Sequence, residues 1–256
     1  MAKDSGTGLP PGVETAWGLR ERPGKGPRPG LSVDRIVDAA VKIADAEGLP
    51  AVSMGRVASA LGVSTMSLYR YVASKEELLV LMQEAVLGQP PAEEAGPEPE
   101  DWRSALARWA RAMREVLYRN LWLLRLPVTT PPTTPRALAW MERGLGCLRS
   151  TGLDAGEKLQ VLLLVDGFVR NEARLAADLA SAARAADSTV EEAMASYSRL
   201  LASLVDPRRF PEVGEVLKTG AMSDGGPEDA EFAFGLERIL DGIEALVRER
   251  NGAAER

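Results

Sequence analysis

Between Ser32 and Leu87 the chain is punctuated by helix starts and stops at such short intervals that only a set of short helices fits it. Ser32 precedes Val33, Ile36, Val37, Ala40, Val41 and Ala44, which recur at helical spacing, and Gly48 follows them. A serine hydroxyl at the start accepts a backbone N–H that has no partner inside the helix, and a glycine at the end supplies the left-handed turn that closes it. Ser53 repeats the start signal ahead of Val57, Ala58 and Leu61, and Gly62 stops that segment. Ser64 opens a third helix running to about Tyr71. Ser74 and Glu77 then have the spacing of a capping box, in which each side chain takes the other residue's free backbone N–H. Leu78, Leu81, Met82 and Ala85 supply the apolar stripe of the fourth helix.

The rest of the chain is read by the same signals. Residues 1–30 are rich in Gly and Pro without sustained period, which predicts a flexible arm, made basic by Arg20, Arg22, Lys25 and Arg28 and anchored in part by Trp17 and Leu19. Residues 88–101 hold four prolines, four glutamates and one aspartate, too polar to pack and too proline-rich for a helix, so they read as a solvated linker. Trp102, Leu106, Trp109, Met113, Val116, Leu117 and Leu121 mark a long helix, and a break follows at Pro127 to Pro135. Helical patterns continue over about 136–150, 155–183, 189–204 and 227–250. No strand alternation or internal repeat stands out, so the fold class is all-α. The expected organisation is an arm (1–30), a helix-turn-helix domain (31–87), a linker (88–101) and a helical bundle (102–250).

Composition removes several functions. Histidine is absent, and with it the commonest general base and transition-metal ligand. The single cysteine, Cys147, sits in an amphipathic stretch and reads as a small core residue. Carboxylates such as Asp166 and Glu172 fall as easily on solvated faces, with no metal or nucleophile spacing around them. The expectation is a protein that is not an enzyme and needs no cofactor or metal. The longest aliphatic run, Val161 to Val165, is far short of the ~20 residues that span a bilayer. Nothing points to export, so a cytoplasmic location is expected. Net charge is -6, but residues 1–75 carry ten Lys and Arg against seven Asp and Glu. That asymmetry fits a basic head on an acidic body, as a nucleic-acid reader requires.

Two short helices joined at Leu61-Gly62-Val63-Ser64 have the form of a helix-turn-helix, whose second helix can enter the major groove. The run Leu61-Gly62-Val63-Ser64-Thr65-Met66-Ser67-Leu68-Tyr69-Arg70-Tyr71-Val72, followed by Ser74-Lys75-Glu76-Glu77-Leu78, resembles the recognition-helix region of the tetracycline-repressor (TetR) family. Ile36-Val37-Asp38-Ala39-Ala40 and Ser53-Met54 with Val57-Ala58 resemble that family's first two helices. The segment Phe232 to Ile243 is similar to the last helix of the branch that contains the tetracycline repressor itself.

The resemblance implies a DNA-binding transcription regulator, repression being the family's habit. Thr65, Met66, Ser67 and Arg70 stand at the start and exposed side of the third helix, where the family places base readers; Arg70 could bond a guanine and Met66 touch a thymine methyl. Tyr71 and Lys75 match family positions on the phosphate backbone, and Ser53 and Ser64, at helix N-termini, could contact phosphate or act only as caps. Leu68 and Tyr69 are expected to pack inward. Arginines of the arm could enter the minor groove. The family works as a homodimer on palindromic operators through two C-terminal helices. The matching stripes here are Val190, Met194, Tyr197, Leu201 and Leu204, and Phe232, Leu236, Ile239, Leu240, Ile243, Leu246 and Val247, with an internal core as the alternative use. The family also implies an effector cavity, for which Trp109, Met113, Trp140, Phe168 and Asn171 are candidates, core packing again being the alternative. The tetracycline repressor holds its drug as a metal chelate through histidine, which this chain lacks. A bulky, largely apolar effector is therefore expected. The alternatives are a DNA-binding protein without a ligand and an enzyme on a helical scaffold.

Overall fold

In the computed structural model, which describes residues 8–19, 31–93, 101–127, 131–221 and 229–254, the described residues are helical and contain no strand. The N-terminal helices form where the caps place them. Helix α1, which the cap signals did not place, covers Pro11–Ala16, and α2 covers Val33–Glu47, with the Ser32 hydroxyl accepting the Arg35 N–H at 3.2 Å. Helix α3 (Met54–Leu61) starts on Ser53, α4 (Thr65–Tyr69) on Ser64 and α5 (Lys75–Leu87) on Ser74, each serine accepting an N–H three residues on. Gly62 ends α3 at φ 67°, ψ 31°, a left-handed conformation that costs a residue with a Cβ about 1 kcal/mol. Ile36, Ala40, Val57, Leu68, Val72, Leu78 and Met82, all fully buried, form the small core that α2 to α5 share.

Helix α6 spans Trp102–Arg119, a 3₁₀ segment follows at Leu121–Arg125, and α7 spans Pro135–Cys147. Helix α8 runs over Ala155–Ala185, α9 over Val190–Leu204, α10 over Pro211–Lys218 and α11 over Ala230–Ala254. Thr189 and Glu192 close a reciprocal capping box on α9. The chain divides into two compact units, residues 1–166 and 167–256, with the division inside α8. In the first unit α6 packs on α7 and α7 on α5. In the second, α9 packs on α10, and Phe168 stacks on Phe232 with ring centroids 5.5 Å apart. A Cβ on Gly235 would come within 2.6 Å of the Phe168 ring, so α8 and α11 approach as closely as they do because that position has no side chain.

The structure departs from the sequence reading in three places. Part of the arm is ordered: α1 lies against α5, and Val13 and Glu14 are buried. Its signal was Pro11 at the first helical position, where a missing N–H costs nothing. Helix α10 was absent from the reading and again begins on a proline, Pro211. The start of the linker is tied down: the Pro91 carbonyl accepts from Arg143 Nε at 3.0 Å, the Ala92 carbonyl from Arg108, and Glu93 pairs with Arg143 at 3.4 Å. Residues 94–100 lie outside the described residues.

Candidate nucleic-acid interface

Helix α4 owes its orientation to its buried side. Leu68 and, just beyond the helix, Val72 are fully buried. The Tyr71 and Val72 N–H groups both donate to the Leu68 carbonyl, at 2.8 and 3.0 Å. With that side fixed, the residues one and two positions away face out. Met66 is 75% exposed, which leaves a flexible thioether largely in water. Arg70 is exposed, with no ion-pair partner among the described residues. Ser53 and Ser64 are exposed; Thr65, Ser67, Tyr71 and Lys75 are half-buried. The Ser64 and Ser67 hydroxyls lie 2.9 Å apart, and Ser64 Oγ also accepts the Ser67 N–H at 3.3 Å. Ser53 Oγ likewise accepts the Arg56 N–H at 3.2 Å, so both serines are caps. A hydroxyl that accepts from the backbone still has a proton to donate, so capping and phosphate contact are compatible.

Tyr69 requires a correction. The sequence reading packs it inward with Leu68, but Tyr69 is 44% exposed and shares the open side of α4 with Met66 and Arg70. Only every third or fourth position of one short helix can face the core, and Leu68 already fills that place. Arg20, Arg22, Lys25 and Arg28 lie outside the described residues.

The turn after α4 is held by a second network. The Ser74 hydroxyl accepts the Glu77 N–H at 3.1 Å, but the Glu77 carboxylate reaches the N–H of Ala73, at 2.6 Å, one residue ahead of the position expected for a capping box. Its other oxygen accepts the Thr15 hydroxyl of α1 at 2.7 Å, and this carboxylate is buried. Beside it, the exposed Glu76 carboxyl is held below the usual carboxylate range by its own backbone N–H, then by the Ser74 hydroxyl, with Lys75 adding a smaller charge effect. Gly88 ends α5 at φ 61°, but its N–H makes no closing bond to the helix carbonyls. They are taken instead by α7: Arg136 Nη1 donates to the Glu84 and Ala85 carbonyls at 2.8 Å each, and the Trp140 indole donates to Leu87 at 3.0 Å. A third link joins the 3₁₀ segment to α2, where Trp122 Nε1 donates to Asp45 at 2.9 Å.

The effector candidates divide between the two units. Trp109 and Trp140 meet edge to face at 6.0 Å, and the Trp109 indole donates to the Trp140 carbonyl at 3.0 Å. Both are buried, as is Met113, and both indole N–H groups are already satisfied by backbone, which is the pattern of core. Phe168 is half-buried beside Phe232, and Asn171 is exposed. On α11 the supposed contact stripe is also largely internal: Phe232, Leu236, Leu240, Ile243 and Val247 are buried, leaving Ile239 and Leu246 half-buried. The stripe on α9 has no buried member, and Tyr197 and Leu204 are exposed. Exposed leucines that the reading did not single out stand on α8: Leu159, Leu163, Leu164, Leu175 and Leu179. No group of His, Cys, Asp and Glu able to hold a metal ion occurs among the described residues. None of their helices is long and apolar enough to cross a membrane.

Comparison with known proteins gives the same reading head. Residues 36–82 match the family model described as bacterial regulatory proteins, tetR family, and residues 95–247 match that of the tetracyclin repressor-like C-terminal domain. The chain is 39% identical to the HTH-type transcriptional repressor DrrR1 of Streptomyces coeruleorubidus over 241 residues, 94% of this chain and 87% of that one. It is 27% identical over 253 residues to the HTH-type transcriptional repressor Rv1353c of Mycobacterium tuberculosis, covering 94% of this chain and 90% of the other. Among solved structures, the TetR family protein ActR of Streptomyces coelicolor in complex with actinorhodin superposes with a TM-score of 0.71 at 30% identity, covering 85% of this chain and 97% of that one. With both halves matched, and with the α3–α4 pair presenting Met66, Tyr69 and Arg70 to solvent, the chain belongs to the TetR family of transcription regulators.

Proposed function

We propose that this regulator is a cytoplasmic homodimeric repressor that reads a palindromic operator with α4 and is released by a bulky, largely apolar effector. The observation that carries the reading is the open side of α4, where Met66, Tyr69 and Arg70 are exposed while Leu68 and Val72 hold the helix down. Arg70 is the base reader, its guanidinium having the paired donors that suit guanine O6 and N7. Thr65, Met66, Ser67 and Tyr69 line the same groove surface. Ser53, Ser64, Tyr71 and Lys75 contact phosphate, and Arg20, Arg22, Lys25 and Arg28 supply further cations in sequence just ahead of α2. Two such heads reach half-sites about 34 Å apart, one turn of DNA, or a multiple of it. The exposed leucines of α8, with the outer residues of α11, support the dimer contact. The effector part of the reading is supported by ActR, solved with actinorhodin. In this chain Trp109, Met113, Trp140, Phe168 and Asn171 remain the residues assigned to it, with the buried three contributing only if the body opens to admit a ligand.

The test is selection of purified protein on randomised duplexes at two salt concentrations, with Arg70→Ala beside wild type. The expected result is a palindrome from wild type. The variant should lose about 1–3 kcal/mol of binding and relax its choice at one position per half-site. Enrichment that is indifferent to Arg70 would overturn the assignment of the reading residue, and no palindrome at all would overturn the operator-reading function.

A further inference from the structure

The C-terminal end of α1 is bonded to two different parts of the first unit. Near its start, Gly12 sits so close to α5 that a Cβ there would lie 3.0 Å from Val80 Cβ and 3.4 Å from the Glu77 backbone. The Thr15 hydroxyl donates to Glu77 Oε1 at 2.7 Å, and the other oxygen of that buried carboxylate takes the Ala73 N–H, in the turn between the reading helix and α5. Two residues on, Trp17 Nε1 donates to the Thr133 carbonyl at 2.8 Å, immediately before Thr134, the residue that precedes α7. Helix α7 in turn grips the far end of α5, through Arg136 on Glu84 and Ala85 and through Trp140 on Leu87. The Arg136 N–H also donates to the Glu84 carboxylate at 3.0 Å. The contacts therefore close a ring: α1 to the start of α5, the end of α5 to α7, and the start of α7 back to α1.

We infer that α1 is a strap that couples the turn carrying the reading helix to the start of α7, with Glu77 and Trp17 as its two anchor points. A helix held only at its C-terminal end can pivot about that end. A second tie near its start, made to the same neighbouring helix through α1, removes the pivot. Movement at α7 is thereby passed to Ala73 and the reading helix by α1 as well as by α5. Glu77 is a positioning residue in this scheme, since it acts on the reading helix through the Ala73 N–H and Thr15.

The test uses hydrogen exchange of the full chain, which needs neither operator nor effector. Wild type is compared with Trp17→Phe, Thr15→Val and the double variant. Trp17→Phe keeps the ring and removes only the N–H, and Thr15→Val keeps the shape and removes only the hydroxyl. Each single change should speed exchange about 3- to 10-fold at both anchors, at Ala73 and the first turn of α5 as well as at the first turn of α7. The double variant should do no more than the larger single change, because a ring opened once is open. Changes confined to the substituted anchor, or fully additive in the double variant, would overturn the strap. Should either variant fail to fold, Gly12→Ala, which keeps both polar side chains but presses α1 away from Val80 and so pulls at both anchors, should give the same two-ended pattern. A second arm rests on the operator-reading function proposed above: on a duplex selected by wild type, Trp17→Phe should bind at least about threefold differently with unchanged sequence preference. Unchanged affinity there would overturn the link to the reading helix. Failure of wild type to select any duplex would count against the proposed function alone, leaving the exchange result to decide the strap.

Discussion

Met66, Leu68 and Tyr69 lie on one short helix that Arg70 caps, and burial alone separates the roles of the four. Leu68 is fully buried and sets the helix down; the other three are exposed. The order of these residue types is readable in the sequence, and so is the inward place of Leu68. The outward place of Tyr69 is not, because an aromatic next to a buried leucine fits packing as well as recognition until the helix is placed on its neighbours. At the same scale, Glu76 gives a pH prediction. Its folded-state carboxyl is held low, so it stabilises the start of α5 at pH above the ordinary carboxylate value, and that contribution is lost as pH falls through the lowered one. Thermal unfolding of wild type and Glu76→Gln should therefore differ at neutral pH and converge once the pH has fallen through the lowered carboxyl value. A gap that stays constant to low pH would assign the effect to packing.

At the scale of elements, caps and stops were legible, while two short proline-started helices, α1 and α10, were not. Ser32, Ser53, Ser64 and Ser74 all accept the N–H expected of them. These are local bonds between residues three apart, so the sequence contains both partners. Helices α1 and α10 begin on Pro11 and Pro211 inside Gly- and Pro-bearing stretches, and α1 exists against α5 through contacts more than 60 positions away, such as Thr15 with Glu77. Helix packing gives the sharpest prediction. A Cβ on Gly144 would lie 2.4 Å from Leu162 Cδ1 and 3.2 Å from Trp109 Cε2, so α7 approaches α6 and α8 through a missing side chain. Gly144→Leu should destabilise the protein by about 1–3 kcal/mol or more in denaturant titrations, whereas Gly55→Ala, on an open face, should be nearly neutral or stabilising.

Across the whole molecule, apolar stripes did not announce their use. The stripe on α11 is internal, whereas leucines of α8 are exposed, and both patterns look alike in sequence because periodicity records which side of a helix is apolar and not what covers it. The same holds for Trp109 and Trp140, whose indoles are bonded to backbone in the core. If the α8 leucines form the dimer contact proposed above, Leu163→Glu should yield a monomer in sedimentation, with operator binding weakened by about tenfold or more because two linked heads become two separate ones. An unchanged dimer would move the contact elsewhere. Finally, the carbonyls at the end of α5 bear on how members of this family can be recombined. Because Glu84, Ala85 and Leu87 are closed by Arg136 and Trp140 and not by residues of their own segment, the reading head is not a detachable cassette. A chimera joined in the stretch after Gln89 would inherit one half of a lock. Grafting a foreign head onto this body should succeed only when the incoming helix offers its last carbonyls at the height where this chain's arginine and indole wait for them.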